Sequence, residues 1–301
     1  MSSTITKVAL AGATGNLGPA ILNALVKAGF AVTVLTRQAS PTSLPPSVTA
    51  VQVDYDSLDS LVAALTGQDA LISTIAGTGL PKQLLLIDAA VQAGVKRFLP
   101  SEFGSNTLSP KTAALPIMQD KVAAQAALKA KAAANPGFSY TLVINGPFLD
   151  WCAAVGLTVD IKKKHIVLYD GGDRKYSTTT LASVGAAVVG VLKKPEETKN
   201  RAVYVQDIVL SQRELAEIAK RATGGAEGWT EEVSSTEEAL GKAWTELTGE
   251  KPNPMVFFME FLKAVIWGEG YGSQFEVVDN ALLGLKGLTE EEVQKVLEGV
   301  L

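Results

Sequence analysis

Gly12, Gly15 and Gly18 follow directly on the apolar run Val8-Ala9-Leu10-Ala11, and a helix-like run opens at Pro19. Strand, glycine turn and helix in that order suit the pyrophosphate of a dinucleotide. Gly12 permits the tight turn, Gly15 lets backbone amides approach the phosphates, and Gly18 lets the helix lie close to the strand. The free N–H groups and positive dipole end of that helix then face the anion. The second apolar run ends in Thr36-Arg37-Gln38, and the next acid is Asp54. A plain NAD site carries an acid at that strand tip for the ribose 2′-OH, whereas an arginine there suits a 2′-phosphate, gripped by a charge-assisted fork. The expected cofactor is therefore NADP(H), the alternative for Arg37 being a solvated loop arginine.

Hydride chemistry on such a cofactor leaves negative charge developing on the acceptor, so a proton donor must stand nearby. The Tyr-x-x-x-Lys pair of common short-chain reductases is absent, because none of Tyr55, Tyr140, Tyr169, Tyr176, Tyr204 and Tyr271 has a lysine four residues on. Lys121 is the candidate instead. It sits in the first turns of a predicted helix that begins beside Pro100-Ser101-Glu102-Phe103-Gly104, at the carboxyl end of the fifth strand. Lys129 and Lys131 lie two or more turns farther along and read as solvated. Residue type alone leaves two readings of Lys121 level: a desolvated proton donor, or an ordinary exposed helix lysine. His165 opens a short strand beside three lysines; an isolated histidine titrates usefully only when positioned, so a structural role is the main reading and a catalytic one the alternative. Cys152, next to Trp151, reads as a small buried hydrophobe. Trp151, Phe257, Phe258, Phe261 and Trp267 suit either an aromatic substrate pocket or ordinary core.

The elements that position these residues alternate. Strands are predicted at 5–11, 31–36, 48–53, 70–74, 97–99 and 139–145, with helices at 19–28, 57–65, 81–93 and 117–134. Near-continuous Val, Ile and Leu runs separated by helices mean a parallel sheet covered on both faces. Right-handed crossovers make it a doubly wound α/β sheet of Rossmann type, with ligands at the carboxyl ends of the strands. After Asn145 the rhythm changes. Strand-like pieces at 165–169 and 202–205 mix with helices at 181–192, 212–221, 236–248 and 254–267, and Thr289 with Glu292 forms a capping box before a last helix. Residues 1–150 are expected to form the cofactor-binding domain and 151–301 a smaller α+β substrate domain, with a strand near 201–206 returning to the main sheet.

At 301 residues and 47% hydrophobic content, the chain can bury one large or two modest cores. A net charge of −4 gives nucleic-acid binding no electrostatic support. One cysteine excludes an intrachain disulfide, and a single histidine excludes a multi-histidine metal site. No apolar stretch reaches the 18 or so residues of a membrane span, and the first residues read as a strand, not a signal segment. A cytosolic protein, monomer or homodimer, is the expectation.

Gly12-Ala-Thr-Gly-Asn-Leu-Gly18, Thr36-Arg37, the run from Ala93 through Arg97-Phe98-Leu99-Pro100-Ser101-Glu102-Phe103-Gly104, and Tyr140-Thr-Leu-Val-Ile-Asn145-Gly-Pro-Phe148 together resemble the isoflavone reductase-like group. That group, with its phenylcoumaran benzylic ether and pinoresinol–lariciresinol reductases, belongs to the NmrA-like atypical short-chain reductases. The tail segments Tyr271–Glu276 and Asn280–Thr289 are similar to fungal members. The resemblance implies an NADPH-dependent reductase of an aromatic or conjugated small molecule, with Lys121 as acid–base residue. It also implies pyrophosphate binding by Gly12, Thr14, Gly15, Asn16, Leu17 and Gly18, and 2′-phosphate binding by Arg37. Ser73 and Thr74 would border the adenosine and ribose, while Phe103, Asn145 and Phe148 would flank the nicotinamide. Two departures stand out: Gln125 occupies a position where plant relatives usually carry arginine, and the segment after Ala134 differs. The same family includes redox-sensing regulators that bind dinucleotides without turnover, which is the alternative reading.

Overall fold

The structure, a computed structural model, describes residues 4–38 and 44–301. Six strands build the first half: β1 (Lys7–Ala11), β2 (Ala31–Thr36), β3 (Thr49–Gln52), β4 (Ala70–Ser73), β5 (Arg97–Leu99) and β6 (Ser139–Ile144). The helices between them are α1 (Gly18–Lys27), α2 (Leu58–Leu65), α3 (Gln83–Gln92), the short α4 (Pro110–Ala113) and α5 (Gln119–Ala134). The second half adds α6 (Leu149–Ala154), β7 (His165–Tyr169), β8 (Tyr176–Thr178), α7 (Leu181–Lys193), β9 (Arg201–Tyr204), β10 (Ile208–Leu210) and α8 (Gln212–Ala222). It ends with β11 (Thr230–Ser234), α9 (Thr236–Leu247), α10 (Pro254–Trp267), α11 (Asn280–Leu283) and α12 (Glu290–Glu298).

The main sheet runs β3-β2-β1-β4-β5-β6-β9, parallel throughout. Strand alternation splits its side chains between two cores. Val8 and Leu10 of β1 pack with Ile21 and Leu25 of α1 and Val184 and Val188 of α7 on one face. Ala9 and Ala11 meet Leu61, Leu86 and Leu128 of α2, α3 and α5 on the other. β9 closes the sheet beside β6, and α7 packs on α1, where a Cβ on Gly185 would come within 2.8 Å of Ala20 O. Residues 181–204 therefore add a helix and a strand to the layers of the main sheet.

Two helices begin later than the periodicity suggests. Before α3 the chain makes a 3₁₀ turn, Gly77–Lys82, and before α5 another, Pro116–Met118. Pro81 and Pro116 lack the N–H that an α-helical interior needs, so each sits where a tighter turn leads into the helix. The strands β8, β10 and β11 have no clear sequence signature. Two are only three residues long, and β11 is mostly exposed Thr and Glu. Among the described residues no helix is long and apolar enough to cross a membrane, and no cluster of three or more His, Cys, Asp or Glu could hold a metal ion.

Candidate functional site

Because the sheet is parallel, the carboxyl ends of β1, β2, β4, β5 and β6 lie along one edge, where the loops carrying the candidate residues begin. Gly12 has φ of 84°, and a Cβ there would fall 2.7 Å from Thr74 Oγ1 and 2.9 Å from the Thr74 carbonyl carbon. Thr74 Oγ1 donates to Ala11 O and to Gly12 O, each at 2.9 Å, which fastens the β1 turn to the end of β4. A Cβ on Gly18 would overlap Gly12 O at 2.3 Å and the Ala13 carbonyl carbon at 2.4 Å. Only a glycine lets α1 start this close to the turn. Gly15 differs: its nearest neighbour would be Gly12 O at 3.4 Å, and Thr14, Gly15 and Asn16 are all exposed. Leu17 is buried and anchors the loop from below.

The start of α1 has no side-chain cap and no acid in its first turn; Pro19 has no N–H and Ala20 N donates to Leu17 O at 3.1 Å, so the amides that lack an acceptor among the described residues are those of Asn16, Leu17 and Gly18 at the very start of the helix. Arg37 is exposed at the tip of β2 and, among the described residues, pairs with no carboxylate. Its carbonyl accepts from Gln52 Nε2 at 3.3 Å. Tyr55 stands close by, its hydroxyl donating to Leu35 O at 3.1 Å; burial pushes that phenol up to about 12, with the Arg37 charge pulling the other way. Ser73, at the end of β4, is completely buried and its hydroxyl has no partner. An orphaned buried hydroxyl costs free energy unless a ligand or water satisfies it. Open amides, an unpaired arginine and an orphaned serine along one edge fit a phosphorylated dinucleotide.

The loop after β5 supplies the other half. Phe103 is buried with φ of 22°, a conformation that side chains rarely adopt. It is held from both sides: Glu102 N donates to Pro100 O at 2.8 Å, and Gly104 O accepts Asn145 N at 3.2 Å and Gly146 N at 2.9 Å. The third residue of α5 is Lys121, half-buried, whose Nζ donates to Glu102 O. That amine would be 3.9 Å from a Cβ on Gly104. Burial drives the Lys121 ammonium below the ordinary lysine range, against an opposing pull from Glu102. Asn145 is fully buried; its Nδ2 donates to Gly146 O at 2.8 Å while its Oδ1 has no partner. Phe148, half-buried, closes the strand-end segment at the start of α6. The loop and Lys121 are thus joined by direct hydrogen bonds to one another and, through Gly104, to Asn145.

Glu102 belongs to the strand-end motif, but nothing in the sequence assigns it a role. Its carboxylate accepts Thr107 Oγ1 at 2.6 Å and Gln125 Nε2 at 2.8 Å. Only the four-residue spacing of Lys121 and Gln125, one helical turn, hints that both face this loop. The aromatic helix divides: Phe261 and Trp267 are core, Phe257 is half-buried and Phe258 is exposed. Trp267 stacks on Tyr169 with centroids 5.0 Å apart, in a cluster that takes in Cys152 and partly buried Phe148 and Trp151. His165 Nδ1 bonds Thr230 Oγ1 at 2.8 Å across the small β7–β11 sheet.

Comparison with known proteins agrees with this architecture. The family model described as NmrA-like matches residues 4–231. Oxidoreductase poxI of Penicillium oxalicum is 34% identical, over 97% of this chain and 94% of its own. Oxidoreductase aprR of Aspergillus flavus is 33% identical over 98% of both chains. Phenylcoumaran benzylic ether reductase IRL1 of Ginkgo biloba is 26% identical, over 93% of this chain and 92% of its own. Among solved structures, AtPrR2 with NADP+ and (+)pinoresinol superposes with a TM-score of 0.79 at 23% identity, covering 99% of this chain and all (100%) of that one. An isoflavone reductase does so at 0.78 with 21% identity and the same coverage, 99% and 100%. Both share the fold. The chain belongs to the NmrA-like family.

Proposed function

We propose that this protein is an NADPH-dependent reductase of an aromatic or conjugated small molecule, with Lys121 as the acid–base residue. The observation that carries the reading is the placement of the Lys121 amine. It is enclosed against the strand-end loop, on the same sheet edge as the glycine turn and the unpaired Arg37. Family membership, the fungal relatives named oxidoreductases and the plant relatives named reductases support it. A solved neighbour carrying NADP+ and (+)pinoresinol points to the cofactor and to the class of acceptor.

Gly12, Thr14, Gly15, Asn16, Leu17 and Gly18 would hold the pyrophosphate through backbone amides and the α1 dipole. Arg37 would grip the 2′-phosphate. Ser73 and Thr74 would border the adenosine and ribose, and Phe103, Asn145 and Phe148 the nicotinamide. The cofactor, when bound, supplies the hydride. Lys121 supplies the proton to the oxygen or carbon on which charge develops, and its enclosed amine makes that transfer easier than from an ordinary lysine. Half-buried Phe148 would offer apolar surface to a planar acceptor, and buried Phe103 would back the loop that helps to exclude water.

Lys121→Ala is the test. NADPH affinity should stay within about 3-fold, while turnover on a panel of phenylpropanoid and quinone-like compounds should fall by about 10²–10⁴-fold. Unchanged turnover would overturn the role of Lys121. Tight dinucleotide binding by the unaltered protein with no NADPH consumption on any panel member would favour a redox-sensing regulator.

A further inference from the structure

Glu102 is an acid with 1% of its surface exposed, yet among the described residues its carboxylate forms no ion pair. Its partners are neutral: Thr107 Oγ1 on one oxygen and Gln125 Nε2 on the other, with Gln125 Nε2 also 2.8 Å from Thr107 Oγ1. The backbone carbonyl of the same residue receives the Lys121 amine. Glu102 therefore meets α5 twice, one turn apart: through its carbonyl at Lys121 and through its carboxylate at Gln125.

The other charges around α5 are engaged or outside. Lys131 pairs with Asp88 of α3, and Lys82, at the 3₁₀ turn before α3, pairs with Asp56. Asp120 and Lys129 are exposed on α5 itself, and β6 brings the neutral phenol of Tyr140. Glu102 is the charged group that acts on the Lys121 amine against the effect of burial. A negative charge in a poorly polarisable surrounding reaches farther than one in water. Neutral donors stabilise a buried carboxylate without cancelling it, whereas an arginine on the same oxygens would largely cancel it.

We propose that Glu102 is a positioning residue for Lys121: its backbone carbonyl receives the amine, its carboxylate, held by Thr107 and Gln125, favours the charged form of that amine, and the neutral side chain of Gln125 leaves the negative charge free to act. The inference rests on Lys121 being the proton donor only for its catalytic meaning; the coupling itself is a property of the free protein.

The experiment titrates Lys121 directly. Lysines of the full, cofactor-free chain are reductively ¹³C-methylated, the Lys121 resonance is assigned by its loss in Lys121→Arg, and its midpoint is followed by NMR. Glu102→Gln keeps the shape and, with a flip of the Gln125 amide, both hydrogen bonds. Gln125→Arg changes a partly exposed position and stands in if Glu102→Gln fails to fold. Both should move the midpoint to lower pH by about one unit, and the basic limb of kcat/KM should move with it. Glu102→Asp should restore part of the shift. An unchanged midpoint, or one that rises in Gln125→Arg, overturns the proposal. If the midpoint moves while Lys121→Ala still turns over, the coupling stands and the proton-donor reading falls. If Lys121→Ala is dead and the midpoint stays, the reverse holds.

Discussion

Three glycine-to-alanine changes separate packing from ligand approach in the loop that starts α1. Alanine normally strengthens a helix by about 1 kcal/mol relative to glycine. Gly241, inside α9 with open space within 4 Å of where a methyl would sit, should show that ordinary gain when changed to Ala. Gly18 should show the opposite sign. Its new Cβ would sit 2.3 Å from Gly12 O, 2.4 Å from the Ala13 carbonyl carbon and 2.5 Å from Ala13 O. All three atoms are backbone, so no rotamer change relieves them, and α1 must move about 1 Å off β1. Overpacking of this kind costs about 1–3 kcal/mol, enough to outweigh the helix gain and lower Tm by several degrees. Gly15→Ala meets only Gly12 O at 3.4 Å and should leave Tm unchanged while weakening NADPH binding about 10-fold or more, since its methyl projects where the phosphates need the backbone. Differential scanning calorimetry reads the first pair and isothermal titration the last. A Gly18→Ala protein as stable as the parent would refute the packing argument; unaltered NADPH affinity in Gly15→Ala would refute the ligand-approach argument.

Further outcomes follow from the charges and the thiol. Burial works against the Asp69 charge, but the Lys96 ammonium and hydrogen bonds from Lys7 N, Thr6 N and Thr6 Oγ1 outweigh it and hold that carboxyl well below the usual range. The stability it contributes is present above the ordinary aspartate range near pH 4 and is lost as pH falls toward its depressed folded value. Asp69→Asn should therefore cost about 1–2 kcal/mol at pH 7 in denaturant unfolding, with the difference closing at strongly acid pH. Cys152 is buried, its thiol pushed up to about 12, chiefly by burial. A thiol reagent at pH 8 should leave it untouched in the native protein and modify it once guanidinium unfolds the chain; rapid native reaction would contradict the packing of that cluster.

What the sequence disclosed depended on how local the signal was. The turn at Gly12 and the strand before it follow from neighbouring residues, since β-branched runs and glycine spacing act within a few positions. Arg37 was legible because the strand that delivers it ends where its apolar run ends. The seating of Glu102 on α5 was not. Glu102, Thr107 and Gln125 meet only because a loop folds back on a helix 23 residues away, and no periodicity encodes that. The aromatic helix α10 shows the same limit. Its sequence states that Phe257, Phe258, Phe261 and Trp267 are apolar, but the packing of α9 and of Leu115 and Met118 decides which of them become core. The short strands β8 and β10 exist through their pairing, having too few residues to show alternation.

The most direct test is a titration of the unaltered protein with NADPH and with NADH, repeated on Arg37→Ala. The expected result is at least 10-fold tighter binding of NADPH, a preference that Arg37→Ala abolishes while NADH affinity stays put. Equal affinity for the two dinucleotides, or a preference that survives loss of the arginine, would contradict it.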